Sequence, residues 1–338
     1  MQGEDIMPKT VRMADIAEKL GVSVVTVSKA LNGKEGVGSA LRSKIIDTAE
    51  QMGYTVSRLD EKTDSLVIGI INSYLYLQRG SSFYWSLYER LLGHLSETNN
   101  MGVLEVISQK DQDQLNPPKI VQNKKVDGLI IMGPFAEDYI NMLRSIDMPM
   151  VMLDAYSAKY SLDTVISDGY YGMYLMTDHL LTKGHRNIAF IGTVGETSSI
   201  TDRFYGYCKA MTEAGIEVTR DMVIPDRSDV GKIMLNFTED IRKFTALVCN
   251  CDLTAYEVMK VLDKMGIKVP DDMSIVGFDN YIISEITPVK VTTYEVDQDR
   301  MAKESVKQIC RRIRNPLRKR DMRMINGDII ERDSVKKL

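Results

Sequence analysis

The chain has 338 residues, a formal net charge of −4 at pH 7 and 44% hydrophobic residues. Its length exceeds one typical domain and its apolar content supports a sizeable core, so we expect about two or three domains. No apolar run reaches the roughly eighteen residues of a membrane span, and the N-terminus lacks a basic start and an apolar signal core. These features predict a cytoplasmic protein without a membrane partner.

Residues 11–32, VRMADIAEKLGVSVVTVSKALN, have the spacing of a helix-turn-helix. Gly21 permits the left-handed residue that ends a first helix, and Ser23 is a suitable N-cap for a second one. The predicted buried stripe consists of Ile16, Ala17, Leu20, Val27, Ala30 and Leu31. A third helix, Ser39 to Met52, is predicted to add Leu41, Ile45, Ile46 and Ala49 to the same core and to stop at Gly53.

The outward face of the second helix is the predicted DNA-reading surface. Val24 and Val25 offer only apolar contact, for example to a thymine methyl, whereas Thr26 and Lys29 supply polar contacts. Residues 9–58 contain eight Lys and Arg against five Asp and Glu, a local net charge of +3 in an acidic chain. A glycine-joined helix pair also occurs in proteins that bind no DNA, but this charge favours contact with phosphates.

These residues carry a family resemblance. The run ADIAEKLGVSVVTVSKALNG, followed by LRSKIIDTAEQMGY, resembles the N-terminal domain of the LacI/GalR family of ligand-controlled bacterial transcription regulators. Further segments resemble landmarks of the family's sensor domain in the family's order: FYWSLYERLL, KKVDGLIIMG, KGHRNIAFIG, DRFYGYCKAM, VPDDMSIVGFDN and ITPVKVTTYEVDQ. The resemblance implies DNA contacts at Thr10, Ser23, Val24, Val25, Thr26, Ser28, Lys29, Asn32 and Leu59.

From Leu66 onward, apolar runs alternate with amphipathic stretches, which predicts an α/β fold of parallel sheets flanked by helices. The predicted strands are LVIGII, VLEVI, VDGLIIM, PMVML, NIAFIG, TALVC and MSIVGF. The resemblance implies a two-subdomain sensor of periplasmic-binding-protein type I, with chain crossings near Ser167, Thr292 and Met322. It assigns residues 8–57 to the all-α DNA-binding domain, 58–65 to a hinge, 66–166 plus 293–321 to the first subdomain, and 167–292 plus 322–332 to the second.

A ligand of such a sensor is expected at the carboxyl ends of the strands, between the two halves. The predicted effector-binding residues are Phe83, Tyr84, Asp154, Ser199, Arg203, Arg227, Cys251, Asp252 and Asp279. Carboxylates accept hydrogen bonds from sugar hydroxyls, a guanidinium donates as a fork, and an aromatic face covers a sugar or base ring. A helix cap or a solvated loop charge is the alternative interpretation for each of them, above all for Asp154 and Asp252.

Two segments depart from the family pattern. Cys251 replaces the usual Asn, which suggests that a polar ligand contact is missing there. Arg227 aligns with an aromatic floor, and this placement suggests a negatively charged effector such as a phosphosugar or sugar acid. The linker TVSRLDEKTDSL lacks the usual Pro and is a few residues shorter than in the family. Leu59 is still predicted to wedge a base step, but the acidic Asp60 and Glu61 beside it are unfavourable neighbours for phosphates.

We therefore expect a homodimeric, sequence-specific transcription regulator that binds a nearly palindromic double-stranded operator and a carbohydrate-type effector, with no cofactor. A repressor is favoured over an activator. The sign of the effector's action remains open. A transport-type solute-binding protein shares the sensor fold but requires an export signal and no DNA-reading head. An enzyme is opposed by the absence of a dinucleotide fingerprint, a phosphate loop and a nucleophile elbow.

Other motifs are predicted to be structural. Cys249 and Cys251 indicate a buried strand rather than a metal site, since no second Cys or His pair completes a tetrahedral set. His179 and His185 are not at metal-pair spacing, and the methionines are adaptable core residues. The basic run RRIRNPLRKR, Arg311 to Arg320, is predicted to be a solvated helix end that complements the helix dipole.

Overall fold

The computed structural model describes residues 11–31, 36–52, 54, 65–77, 83–228, 233–280 and 287–338. The chain divides into two compact units, one of Met1–Ser65 with Cys310–Lys319 and one of Leu66–Ile309 with Arg320–Leu338. Within the described ranges, no helix is long and apolar enough to cross a membrane.

The first unit contains the three predicted helices, α1 (Met13–Leu20), α2 (Val24–Leu31) and α3 (Ser39–Gln51). Gly21 ends α1 with φ 64° and ψ 34°, as its left-handed preference predicts. The shared core consists of Ile16, Ala17, Val27, Ala30, Ile45 and Ala49. Leu41 was wrongly predicted to be buried: its side chain is 36% exposed, because the core is closed by residues deeper in α3. The predicted stop at Gly53 lies outside the described residues.

The remaining helices lie between and after the strands of the second unit. They are α4 (Tyr74–Leu77), α5 (Phe83–Glu97), α6 (Gln109–Asp113), α7 (Lys119–Gln122), α8 (Glu137–Arg144), α9 (Gly169–Thr182), α10 (Ser198–Glu213), α11 (Asp252–Lys264) and α12 (Gln298–Arg314). Two short 3-10 turns cover Arg220–Met222 and Glu239–Lys243.

Two six-stranded sheets form the core of the second unit. The first has the order β11-β5-β4-β3-β1-β2 and is parallel throughout; its strands are β1 (Val67–Ser73), β2 (Met101–Ile107), β3 (Gly128–Met132), β4 (Met150–Leu153), β5 (Asp163–Ser167) and β11 (Met322–Ile325). The second has the order β12-β10-β9-β8-β6-β7; its strands are β6 (Ile188–Ile191), β7 (Val223–Ile224), β8 (Ala246–Cys249), β9 (Ser274–Asp279), β10 (Thr292–Glu295) and β12 (Ile329–Ile330).

All seven predicted strands are present, and the predicted parallel arrangement is confirmed except that β12 pairs antiparallel with β10. Strands β3, β4, β6 and β8 are buried along their whole length, which explains their nearly continuous apolar sequences. The strands that were not predicted are short or polar: β7 and β12 have two residues each, and three of the four β11 side chains are exposed.

Two of the predicted chain crossings are displaced. β10, residues 292–295, still belongs to the second sheet, and β11, residues 322–325, belongs to the first. The chain therefore leaves the second sheet after Glu295 rather than near Thr292, and leaves the first after Ile325 rather than near Met322. Each crossing follows the end of a strand, because a strand must complete its hydrogen bonds before the chain can change sheets.

Candidate DNA-binding face and candidate effector cleft

The start of α2 presents the side chains predicted to read DNA. Ser23 caps the helix by accepting a hydrogen bond from the Thr26 backbone at 3.0 Å, and its Oγ lies 2.8 Å from the Thr26 Oγ1. Val24 is 47% exposed and Val25 63%, although both are apolar. Lys29 is exposed and Ser28 is half-buried. The face therefore consists of an exposed apolar patch flanked by hydroxyl and ammonium groups. Such a surface is suited to contact a DNA groove and its phosphates.

Three predicted DNA contacts cannot be compared with the structure. Thr10, Asn32 and Leu59 lie outside the described residues, as does nearly all of the predicted hinge, of which only Ser65 is described. The prediction that Leu59 wedges a base step therefore stays a prediction.

In the first subdomain, defined as the first sheet and its helices, Asp154 and Tyr84 form one pair at the carboxyl end of β4. Asp154 is buried, has φ 62° and accepts a hydrogen bond from the Tyr84 hydroxyl at 2.8 Å. Burial raises the pKa of Asp154 to about 6, although the charge of Arg203 and the Tyr84 hydrogen bond oppose the shift. The Phe83 ring packs edge-on against Tyr84, with ring centroids 5.4 Å apart.

In the second subdomain, defined as the second sheet and its helices, Arg203 is held at the carboxyl ends of β8 and β9. It donates hydrogen bonds to the Asn250 carbonyl at 2.7 Å and to the Asp279 carboxylate at 3.0 Å, and its guanidinium lies 3.9 Å above the Phe278 ring. Burial raises the pKa of Asp279, and the positive charge of Arg203 opposes that rise. The structure thus brings the predicted Arg203 and Asp279 together.

Arg227 and Cys251 lie near this pair. Burial raises the pKa of the Cys251 thiol; the nearby Asp279 raises it further, and Arg227 lowers it. Burial also raises the pKa of Tyr76 in the first subdomain, and the positive charge of Arg227 opposes that rise. Sequence reasoning missed Tyr76, whose only local signal was its place after the first predicted strand.

The two subdomains are joined across the cleft by a hydrogen bond that the sequence did not reveal. The Tyr156 hydroxyl, from the loop after β4, donates to the Asp202 carboxylate of α10 at 2.8 Å. A cavity of about 410 Å³ lies at this junction, lined by Phe135, Ala155 and Tyr156 from one side and by Thr197, Thr201 and Asp202 from the other. None of the predicted effector residues lines it. The half-buried Ser199 lies in the first turn of α10, with its carbonyl toward Gly169.

Asp252, which was also predicted to line the cleft, has structural partners in the second subdomain. It is fully buried, accepts a hydrogen bond from the Thr293 hydroxyl at 2.7 Å and packs so closely on Gly277 that no Cβ fits there. Its carboxylate connects α11 to β9 and β10. This role agrees with the alternative interpretation of Asp252 as a structural acid at the end of a helix. The acid beside the cleft that sequence reasoning missed is Asp226, which is discussed below.

Other predicted structural roles can now be compared with the fold. His185 is buried, with its ring nitrogens 2.9 Å from Thr245 Oγ1 and 3.0 Å from the Lys336 carbonyl. Cys249 ends β8, whereas Cys251 lies beyond the strand, and both are buried. In the described part of the chain, no cluster of three or more His, Cys, Asp or Glu side chains is arranged for a metal ion.

The basic run is not simply a solvated helix end. Arg312 is only 2% exposed and donates hydrogen bonds to the carbonyls of Pro316, Arg318 and Lys319. It therefore folds the turn after α12, because several backbone carbonyls converge on one guanidinium.

Comparison with known proteins agrees with this architecture. A sequence model described as bacterial regulatory proteins, lacI family, matches residues 12–57, and one described as a periplasmic binding protein-like domain matches residues 177–335. The HTH-type transcriptional regulator DegA of Bacillus subtilis is 30% identical over 292 residues, which cover 82% of this chain and 84% of DegA. The chain belongs to the LacI family.

Other relatives extend over nearly the full length of this LacI-family chain. The HTH-type transcriptional repressor PurR of Vibrio campbellii is 27% identical over 96% of this chain and 98% of its own. The transcriptional regulator CelR in complex with cellobiose shares the fold with a TM-score of 0.69 and 22% identity, over 96% of this chain and 99% of that one. The lac repressor dimer bound to operator and the anti-inducer ONPF has a TM-score of 0.65 and 20% identity, over 97% and 100%.

Family membership decides between the classes of function left open by the sequence. This LacI-family protein is a DNA-binding transcription regulator and not an enzyme. A solute-binding protein without specific DNA binding is opposed by the match of its N-terminal residues 12–57. The resemblance on which the prediction relied is thereby confirmed.

Proposed function

We propose that this LacI-family regulator is a homodimeric repressor whose operator affinity is set by a polyhydroxylated small molecule bound between the two subdomains. One observation carries the proposal: carboxylates from both sheets, the buried Asp154 and the partly exposed Asp279, lie at the strand carboxyl ends with a tyrosine and an arginine as partners. Hydroxyl groups donate readily to such carboxylates, and Phe83 and Tyr84 offer aromatic faces to a ring.

Related proteins support the class of effector. A LacI-family regulator of Enterococcus faecium has been solved with bound ribose, at a TM-score of 0.66, and CelR with cellobiose. Repression is supported by the PurR relatives, whose names describe transcriptional repressors. Dimerisation is expected because the α2 face is small and one DNA-binding domain offers few base contacts. Two such domains favour a nearly palindromic site with half-sites about one helical turn apart.

The proposed switch needs little energy. A coupling free energy of about 1 to 3 kcal/mol between cleft and DNA changes operator occupancy about 5- to 150-fold. A ligand achieves this if it binds the closed and open arrangements of the subdomains with different affinities. The Tyr156–Asp202 hydrogen bond, which forms only when the two subdomains meet, supports such a two-state sensor.

The test is a selection of DNA from a random duplex pool with the purified full-length protein, repeated in the presence of a pooled sugar and phosphosugar library. Enrichment of a palindrome whose recovery changes with the library is the expected result. If a duplex is enriched but its recovery does not change with any library member, control of DNA binding by such an effector is contradicted. If folded protein enriches no sequence, the operator part of the proposal is wrong.

A further inference from the structure

Arg227 is the cleft cation whose hydrogen-bonding capacity is unused. Its side chain is 15% exposed, its Nε is buried without a hydrogen-bond partner, and among the described residues its guanidinium makes no hydrogen bond. The hydroxyl of the next residue, Ser228, is likewise buried and without a partner. A buried guanidinium left in this state is costly unless a ligand supplies the acceptors.

The nearest carboxylate, that of Asp226, does not supply a hydrogen-bond acceptor for the Arg227 guanidinium. Asp226 Oδ2 lies 3.5 Å from Arg227 Nε, close enough for charge attraction, but both carboxylate oxygens are already occupied. Asp226 Oδ1 accepts from the Thr193 backbone and hydroxyl, and Oδ2 accepts from Asn250 at 2.6 Å and from Thr254 at 2.7 Å. Four donors therefore satisfy Asp226 inside the second subdomain, and the fork of Arg227 is left available.

Arg203, the other arginine of the cleft, also has a buried Nε without a hydrogen-bond partner, but its two terminal nitrogens both donate hydrogen bonds. Arg203 donates to a carbonyl and to Asp279 and stacks on Phe278, so two of its nitrogens already have protein partners. The backbone of Arg227 is also fixed, because its N–H donates to the Thr193 hydroxyl at 3.0 Å and it pairs with Ile233 in an isolated β-bridge. Arg227 is thus a positioned cation that attracts the Asp226 carboxylate, while its guanidinium donates no hydrogen bond to a described residue.

We infer that the effector carries a carboxylate or phosphate group and that Arg227 binds this group as a fork. This inference rests on the proposed function, whose effector it narrows from polyhydroxylated molecules to anionic ones. A planar guanidinium binds either oxyanion through two parallel hydrogen bonds, which a neutral sugar cannot accept with equal strength.

The experiment compares probes that share a polyol and differ in charge: glucose, gluconate and glucose 6-phosphate, the same three forms of ribose, and inorganic phosphate. Binding to the full-length protein is measured by calorimetry and by the shift in unfolding temperature. We expect a charged form to bind wild type at least about 10-fold more tightly than its neutral parent. Gluconate against glucose 6-phosphate then distinguishes a carboxylate from a phosphate.

Variants assign the preference to Arg227. Arg227→Gln should reduce the charged-to-neutral ratio to about 2-fold or less, and Arg227→Lys, which keeps the charge but loses the fork, should give an intermediate ratio. Arg186→Gln, which removes an exposed arginine outside the cleft, is the matched control and should keep the wild-type ratio. If Arg227→Gln does not fold, the wild-type and Arg227→Lys ratios still carry the test.

Three results would overturn the inference: neutral forms that bind as tightly as charged ones, a charge preference that survives in Arg227→Gln, or no response to any charged probe, inorganic phosphate included. DNA selection with the same preparation separates these failures from failure of the proposed function. If a neutral sugar releases or recruits the enriched duplex, the proposed regulatory function is supported. Only the inference of an anionic effector is then wrong.

Discussion

Single residues in the cleft differ in how their charges are compensated. Asp279 is paired directly with a guanidinium, whereas Asp154 accepts its hydrogen bond from a neutral phenol. Burial raises the pKa of both carboxyls, and for Asp154 the resulting value is about 6. Asp154 is therefore the cleft acid whose protonation changes near physiological pH.

The sign of the resulting pH dependence follows from linkage. Because the pKa of Asp154 is higher in the folded protein than the value near 4 of an unfolded chain, the folded state binds the proton more tightly. Its contribution to stability is therefore largest below about pH 4 and is lost as the pH rises toward about 6. The rise of the Asp154 pKa from near 4 to about 6 corresponds to about 3 kcal/mol.

We predict that Asp154→Asn gains stability relative to wild type as the pH rises from 4 to 7, by up to about 3 kcal/mol. The measurement is urea unfolding of both proteins at a series of pH values. Asp147→Asn, which changes an exposed carboxyl outside the cleft, is the matched control. A stability difference that stays constant across this pH range would show that Asp154 does not titrate there.

Among the elements, α2 carries the clearest functional signature. Its first turn exposes Val24 and Val25 while Val27 and Ala30 are buried in the core of the first unit. Exposed valines at the start of a helix do not stabilise the fold, so their value lies in contact with a partner. The predicted partner is the DNA groove, where a thymine methyl is the complementary group.

We predict that Val25→Ala weakens binding to the selected operator about 5-fold, or about 1 kcal/mol, the lower end of the cost of one mismatched base pair. Stability and binding to random DNA should not change, because the side chain is exposed and phosphates are contacted elsewhere. Fluorescence anisotropy with both duplexes measures this. Val194→Ala, an exposed valine of the second subdomain, is the control; equal losses for random and selected DNA would refute base contact by Val25.

The close packing of α9 on α10 depends on a single glycine. A Cβ at Gly206 would lie 2.1 Å from the carbonyl oxygen of Tyr170, a backbone atom of the facing helix. No rotamer change relieves such an overlap, so the helices would have to separate. Gly93, inside α5, offers the contrast, since a Cβ there meets no atom within 4 Å.

We predict that Gly206→Ala lowers the free energy of unfolding by about 1 to 3 kcal/mol, the range typical of overpacking. Gly93→Ala should raise it by about 0.5 to 1 kcal/mol, because alanine costs less conformational entropy in a helix than glycine. Urea unfolding of the two variants beside wild type checks both signs. A neutral Gly206→Ala would mean that α9 and α10 pack less closely than described.

At the scale of the whole molecule, the two sheets form a sensor through contacts between residues far apart in the chain. The Tyr156 and Asp202 hydrogen bond joins residues 46 positions apart, one from each subdomain. By contrast, the Tyr139 hydroxyl donates to the Asn116 carbonyl within the first subdomain. In the proposed opening of the cleft, the first bond would break and the second would stay intact.

We predict that Tyr156→Phe increases amide hydrogen exchange about 5-fold in the loop after β4 and in the first turns of α10, since one hydrogen bond contributes about 1 kcal/mol. Tyr139→Phe loses a comparable hydrogen bond and should leave exchange at the cleft unchanged. Mass spectrometry of exchange in the protein without effector distinguishes the two variants. Identical cleft exchange in both would exclude the Tyr156 bond as a closing contact.

Local sequence was sufficient for the elements and for the family. Helix periodicity, the left-handed Gly21 and the N-cap Ser23 predicted the helix-turn-helix domain, and continuous apolar runs predicted seven strands. These predictions succeeded because they depend on backbone preferences and burial patterns within a few residues. The prediction that Leu41 is buried was wrong, because the depth of a side chain in the core depends on how the helices pack together.

The tertiary structure decided the rest. Asp252 and Asp279 both follow a strand in the sequence, yet one is fully buried against Gly277 and the other meets Arg203, 76 residues earlier. The crossings after Glu295 and Ile325 likewise depend on which sheet each strand joins. Sequence determined that this chain is a helix-turn-helix regulator with an α/β sensor; only the fold, through long-range hydrogen bonds, decided that Asp226 is satisfied and Arg227 is not.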